Sequence, residues 1–183
     1  MILIKEGQEI ELVIPPSQET EEIEVAAGGY ARVRLDGPRK LRLQVRLTGE
    51  RAKIAIAGVF AGTEDDVQNL EICVVQDAPH STCDIRFRSA LKDRAYSRFD
   101  GLIRMTANAK EAHARLSYRN LLLSKESRAL PTPRLEVLTK EVASASHEAA
   151  VGTINAEQLF YLQSRGLSSD EAKDLIVKGF LLC

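Results

Sequence analysis

From the first residues to about position 140 the chain alternates apolar and polar side chains with period two. Leu41, Leu43, Val45 and Leu47 fall on one face while Arg42, Gln44 and Arg46 fall on the other, the pattern of a strand with one buried face. The same reading gives Ala31/Val33/Leu35, Ile54/Ile56, Leu70/Ile72/Val74, Cys83/Ile85/Phe87, Phe99/Gly101/Ile103 and Ala112/Ala114/Leu116. Each run is followed by Gly, Asp, Pro, Asn or Ser residues that favour turns, and strand follows strand with no helix between. By periodicity, short strands at this spacing point to an antiparallel sandwich or barrel. A parallel β-helix produces the same alternation. Its distinguishing feature, a fixed rung period with stacked inward positions, shows only as loose similarity between successive strands, so the alternation leaves both architectures open.

After Val151 the texture changes. Asn155 is placed to cap a helix through Ala156–Arg165 with Gly166 as its stop and Leu159, Phe160 and Leu162 on its apolar side. Ser168-Ser-Asp-Glu171 reads as a capping box that opens a second helix, with Leu175, Ile176, Gly179 and Phe180 on its apolar face. The expected organisation is a β core over residues 1–150 and a helical segment over 151–183.

Composition narrows the function classes. With 183 residues, 44% hydrophobic and 28% charged, the chain can bury a core and lies far from the composition of disordered segments. Lys+Arg 25 against Asp+Glu 26 gives a net charge of -1, which lacks the basic excess that drives nucleic-acid binding. The start, MILIKEGQEIELVIPP, has no charged segment before an apolar run, and no stretch approaches the ~18 apolar residues of a membrane span, so neither export nor membrane insertion is expected.

Cys73, Cys83 and Cys183 are odd in number and lack CxxC spacing, which disfavours a disulfide framework and a zinc knuckle and points to a reducing cytoplasm. Cys83 shares phase with Ile85 and Phe87 and reads as a small core residue. Cys73 lies on the opposite phase from Ile72 and Val74, facing a groove or a partner, and Cys183 forms a mobile end. Phosphate loops, HExxH and GxSxG are absent, and His80, His113 and His147 show no ligand spacing, so no catalysis is indicated. Glu64-Asp-Asp66 reads as a charged turn. Arg32, Arg34, Arg86, Arg88, Arg98, Arg104, Arg115 and Arg119 share the polar phase and serve solubility and edge protection before recognition.

Particular words of the sequence are more informative than its periods. His147-Glu-Ala-Ala-Val-Gly152 followed by Glu157-Gln-Leu-Phe-Tyr-Leu-Gln-Ser-Arg-Gly166 resembles the core of the SufB/SufD family, scaffold proteins of iron–sulfur cluster assembly. Asn120-Leu-Leu-Leu-Ser124, Pro133-Arg-Leu-Glu-Val137, Phe99-Asp-Gly-Leu-Ile103 and Ala78-Pro-His80 extend the match. The resemblance implies a right-handed parallel β-helix followed by a short α-helical hairpin. It also implies pairing through the β-helix, as a homodimer or with a SufB-like subunit, and docking of a SufC-like ABC-type ATPase on the helices.

His147 stands where SufD-like proteins carry a histidine implicated in cluster formation, and Glu148 matches a glutamate of SufB-like ones. The resemblance thus nominates both for cofactor binding and His147 as a metal ligand. Read without it, the two form a polar turn between the last strand and the first helix. Tyr118 and Ala145 occupy the positions of the family's expected thiols. The isolated chain is therefore expected to hold no stable cluster, only a transient iron–sulfur cluster in a complex, as a non-catalytic supporting subunit. The alternative is a stand-alone β-solenoid interaction module; a carbohydrate-active β-helix ranks third.

Overall fold

A computed structural model describes residues 1–37 and 39–182 of the chain; Cys183 and the mobile end expected there lie outside the described residues. Twelve strands come first: β1 (Ile2–Ile4), β2 (Glu9–Ile14), β3 (Thr20–Val25), β4 (Tyr30–Asp36), β5 (Lys40–Leu47), β6 (Lys53–Gly62), β7 (Val67–Gln76), β8 (Thr82–Leu91), β9 (Tyr96–Met105), β10 (His113–Leu122), β11 (Arg128–Val137) and β12 (Ser144–Thr153). Helices α1 (Ala156–Ser164) and α2 (Ser169–Leu182) follow. Odd strands form one six-stranded sheet in the order β1-β3-β5-β7-β9-β11, and even strands form the other, ending on β12.

Every strand pairs in parallel with the next but one, as in β6 with β8 and β7 with β9. That rules out the antiparallel sandwich suggested by periodicity and makes the chain a parallel β-solenoid, each coil giving one strand to each sheet. Strands extend from Ile2 to Thr153, beyond the roughly 20–145 over which strand phases and the family resemblance together predict the β-helix. The register explains why no fixed period is legible. Glu9 stacks on Tyr30, 21 residues on, Lys53 on Thr82, 29 on, and Tyr96 on Arg128, 32 on. The coil widens as its strands lengthen.

A repeat does exist, at the corners between odd and even strands. Gly7, Gly28, Arg51, His80 and Glu111 all have positive φ, from 49° to 64°. Their amides donate to Ala27, Glu50, Pro79, Lys110 and Glu141 carbonyls at 2.6–3.1 Å, so one tight turn is hydrogen-bonded to the next along the whole stack. Small residues flank the last four of these turns, as Ala26/Gly29, Gly49/Ala52, Ala78/Ser81 and Ala109/Ala112. Gly49 shows the reason: a Cβ there would sit 1.9 Å from the Ala27 amide nitrogen.

Inward side chains fill the space between the sheets. Leu43, Val45, Ile56, Ile72, Ile85 and Ile103 are each at most 2% exposed, and Phe87, Phe99 and Tyr118 cluster with ring centroids 4.6–6.1 Å apart. The rings fit because Gly101 has no side chain; a Cβ there would lie 2.5 Å from a Phe99 ring carbon.

The helical hairpin begins as the caps predict. Asn155 Oδ1 accepts from the amides of Glu157 (2.8 Å) and Gln158 (3.0 Å), Gly166 ends the turn at φ +96°, and Ser168 and Glu171 form the reciprocal capping box. Packing differs from the expected apolar faces. Leu159, Leu162, Ile176 and Phe180 are half-buried, but Phe160 and Leu175 are 72% and 50% exposed, and Ala172 is the only buried helical residue among those described. Arg88 on the outside of β8 holds the hairpin, donating to the Phe180 carbonyl and stacking over its ring at 5.5 Å.

Candidate functional site

The solenoid ends in an uncovered coil, and the nominated residues lie on it. β12 pairs with β10 in register, Leu116 with His147 and Ser117 with Glu148. His147 is therefore inside a strand, a correction to its expected place at the junction between strand and helix. Its inward column runs Leu12, Val33, Ile56, Ile85, Leu116 and then His147. Five aliphatic levels end in an imidazole, which is exposed because no coil covers it. Ala145 and Ala149 share this inward face.

Glu148 points the other way, as adjacent strand residues must. On the outer face it accepts from Arg119 Nε at 2.9 Å and lies 2.8 Å from Nη2, both side chains roughly half exposed. The pair nominated together is thus separated by the sheet, so His147 and Glu148 do not converge on one metal ion. No cluster of three or more His, Cys, Asp or Glu able to hold a metal occurs among the described residues.

The two strand edges at this end differ. Arg128 and Leu138 donate their amides to Ala95 (3.1 Å) and Met105 (2.9 Å) on the β9 side, so odd-numbered amide positions of β11 face the free edge. Two of those positions are Pro131 and Pro133, which have no N–H to offer. In β12, Ser144 donates towards β10, which turns the amides of Ala145, His147, Ala149 and Val151 to the free edge. One edge is blocked and the other is open beside His147.

Beneath the open coil lies a polar chain that reasoning from sequence missed. Ser97 Oγ donates to Gln68 Oε1 at 2.9 Å, stands 2.6 Å from Tyr118 Oη, and Ser89 Oγ donates to Asn120 Oδ1 at 2.7 Å. Asn120 Nδ2 reaches the Ala150 carbonyl of β12 at 3.1 Å. Gln68, Ser97, Tyr118 and Ser89 are fully buried, and burial pushes the Tyr118 hydroxyl above its ordinary pKa while the serine hydrogen bonds oppose it. A satisfied buried network specifies register. The available signal was polar side chains at inward phase: Ser89 follows Phe87 by two, and Asn120 follows Tyr118 by two.

Neither described thiol reaches the open coil. Cys83 is 1% exposed, and burial raises its pKa strongly, in keeping with a core role. Cys73 lies on the outer face between Gln44 and Leu102, where partial burial also raises its pKa against the pull of Arg104 and Arg134.

Residues 38–180 match the family described as "SUF system FeS cluster assembly, SufBD core domain". The chain belongs to the SufBD family. Relatives include an iron–sulfur cluster assembly SufBD family protein of Staphylococcus saprophyticus, 33% identical over 135 residues, covering 74% of this chain and 29% of the relative. A homologue from Methanothermobacter thermautotrophicus is 35% identical over 136 residues, covering 73% and 32%. This SufBD chain therefore spans about a third of the length of these curated relatives. The matched region contains the whole C-terminal coil and both helices up to Phe180. No described helix is long and apolar enough to cross a membrane.

Proposed function

We propose that this SufBD chain is a cytoplasmic, non-catalytic assembly subunit that pairs through its open C-terminal coil with a second copy or with a SufB-like, cysteine-bearing subunit. The observation that carries the reading is the contrast at that coil: β11 blocked by Pro131 and Pro133, β12 open with His147 on its inward face. A partner strand added to β12 would satisfy the free amides of Ala145, His147, Ala149 and Val151 and cover apolar side chains such as Val151, 47% exposed. The cluster is cargo in this scheme. The partner supplies the thiolates that iron–sulfur clusters prefer, since Tyr118 and Ala145 stand at the family's thiol positions, and His147 offers one imidazole at the seam. Glu148, held by Arg119 on the outer face, orients the strand rather than ligating. The exposed Phe160, Tyr161 and Leu175 on the hairpin suit docking of a SufC-like ATPase.

Co-expression with a SufB-like subunit and a SufC-like ATPase, followed by affinity capture and light scattering, tests this. A stable complex, or a homodimer of about twice the 20.2 kDa chain mass, that is lost in Ala149→Pro supports the reading. A monomer that captures neither partner at micromolar concentration overturns it. His147→Ala is expected to leave the complex intact and lower its yield of reconstituted cluster absorbance.

A further inference from the structure

The helical hairpin rests on the solenoid without closing against it. Leu159, Leu162, Ile176, Val177 and Phe180 are only half-buried, and two cavities, of about 660 and about 590 Å³, separate the hairpin from the strands beneath. Two attachments hold it. One is Arg88 on the Phe180 carbonyl and ring, at the far end of α2. The other is the stem between β12 and α1, where the sheet ladder has stopped. After β8 the Lys92 amide still donates to the Gly62 carbonyl at 2.9 Å, and after β10 the Leu123 amide donates to the Leu91 carbonyl at 2.8 Å. Ile154, the equivalent residue after β12, makes no such bond among the described residues.

The larger cavity has two unlike walls. On the solenoid side, the corners after β8 and β10 bring Lys92, Lys125 and the half-buried Leu122 and Leu123; on the hairpin side, α1 and α2 bring Leu159, Val177, Asp170 and Asp174. Lys92, Lys125 and Asp174 have no ion-pair partner among the described residues, and Asp170 has only Lys173, 3.9 Å away on its own helix. A ligand or peptide of one charge sign would meet like charge on one of these walls. The walls complement each other instead, with ammonium groups across from carboxylates and leucines across from Leu159 and Val177.

We propose that the hairpin is a hinged arm with a second, closed seat, reached by pivoting at Ile154 and Asn155 until Asp170 and Asp174 meet Lys92 and Lys125. Burial of the apolar side chains on both walls drives the closing, and the surface charge pairs add a small share that salt screens. Arg88 on Phe180 holds the open seat, so the two seats compete, and a modest change in either set of contacts shifts the populations. Closing turns Phe160 and Tyr161, both exposed on α1, relative to the last coil, and so changes the surface that the hairpin offers. The movement requires neither a cluster nor a partner, so its test stands apart from that of the assembly reading.

Pulsed electron spin resonance measures the two seats, with nitroxides on Glu126→Cys at the corner and Gln163→Cys on α1 in a Cys73→Ser/Cys183→Ser background; Cys83 is 1% exposed and takes no label. Two distance populations are expected. The shorter should gain about threefold over the longer as salt falls from about 1 M to about 0.01 M and the Debye length grows from about 3 Å to about 30 Å. Asp170→Lys/Asp174→Lys should remove that gain, Lys92→Glu/Lys125→Glu should do the same, and all four changes together should restore it. Arg88→Ala, which frees the far end of α2, should raise the shorter population. Circular dichroism checks that each variant is folded, and the combined charge swap carries the test if a double reversal does not fold. A single distance that salt leaves unchanged overturns the proposal, and so does a shorter population that survives either reversal or that the combined swap fails to restore.

Discussion

Leu116 and His147 occupy one inward column on neighbouring strands, paired in register, yet Leu116 is fully buried and His147 is exposed. The same contrast runs through the whole of the two coils. In β10 the inward residues Ala114, Leu116, Tyr118 and Asn120 are buried, while their partners Ala145, His147, Ala149 and Val151 in β12 are exposed. Both strands are parallel and in register. The difference comes from what lies above them: β10 is covered by a further coil and β12 by none. Position in the stack, more than residue type, sets what each inward side chain contributes to stability, and it leaves the last coil free to serve an interface.

The sharpest way to break that comparison is to truncate the same column at both levels. Leu116→Ala should destabilise the fold by roughly 2 to 5 kcal/mol, the cost of a core cavity, whereas His147→Ala should change stability by less than about 0.5 kcal/mol. Urea denaturation of both variants checks this. Equal losses would mean that the last coil is covered in solution.

Glycines give a second, smaller contrast. Gly101→Ala would drive a methyl to within 2.5 Å of the Phe99 ring and 2.8 Å of Leu116 Cδ1, and should cost roughly 1 to 3 kcal/mol through overpacking. Gly152→Ala in β12 meets nothing within 4 Å and should be neutral or slightly stabilising. Melting temperatures of the two variants decide it.

The smallest effect concerns pH. Burial holds Cys83 protonated well above its ordinary range. Its stabilising contribution is therefore complete below the unfolded thiol pKa of about 8.5 and declines as pH rises above it, because only the unfolded chain gains thiolate. The slope approaches about 1.4 kcal/mol per pH unit at most. Comparing parent and Cys83→Ala between about pH 8.5 and 9.5 isolates it; identical slopes would show that Cys83 ionises in the fold.

Much of the secondary structure could be read from residues alone. Alternation located the strands from Leu41–Leu47 to Cys83–Phe87, and Asn155, Gly166 and the Ser168/Glu171 box located the helix ends, because these signals depend on neighbours one to four residues away. The choice between sandwich and solenoid was not legible in the alternation, since coil spacing grows from 21 to 32 residues and hides the repeat. The corner turns were obscured too: Arg51, His80 and Glu111 take the positive φ that Gly7 and Gly28 take, so no single residue type marks them. At the candidate site, resemblance named His147 and Glu148 together, and only the strand assignment shows that they face opposite sides of the sheet.

By itself, then, the sequence determined that this chain is built of half-buried strands closed by a capped helical hairpin, and its motifs marked the SufB/SufD resemblance. These properties reside in local periodicity and short words, which backbone geometry translates directly. Tertiary structure alone decided which strands are neighbours, that Pro131 and Pro133 block one edge while β12 stays open, and that Gln68, Ser97, Tyr118, Ser89 and Asn120 join in one buried polar chain. Those facts depend on hydrogen bonds and contacts between residues some 20 to 30 positions apart, and the sign of an edge or the burial of an inward side chain exists only once the coils are stacked.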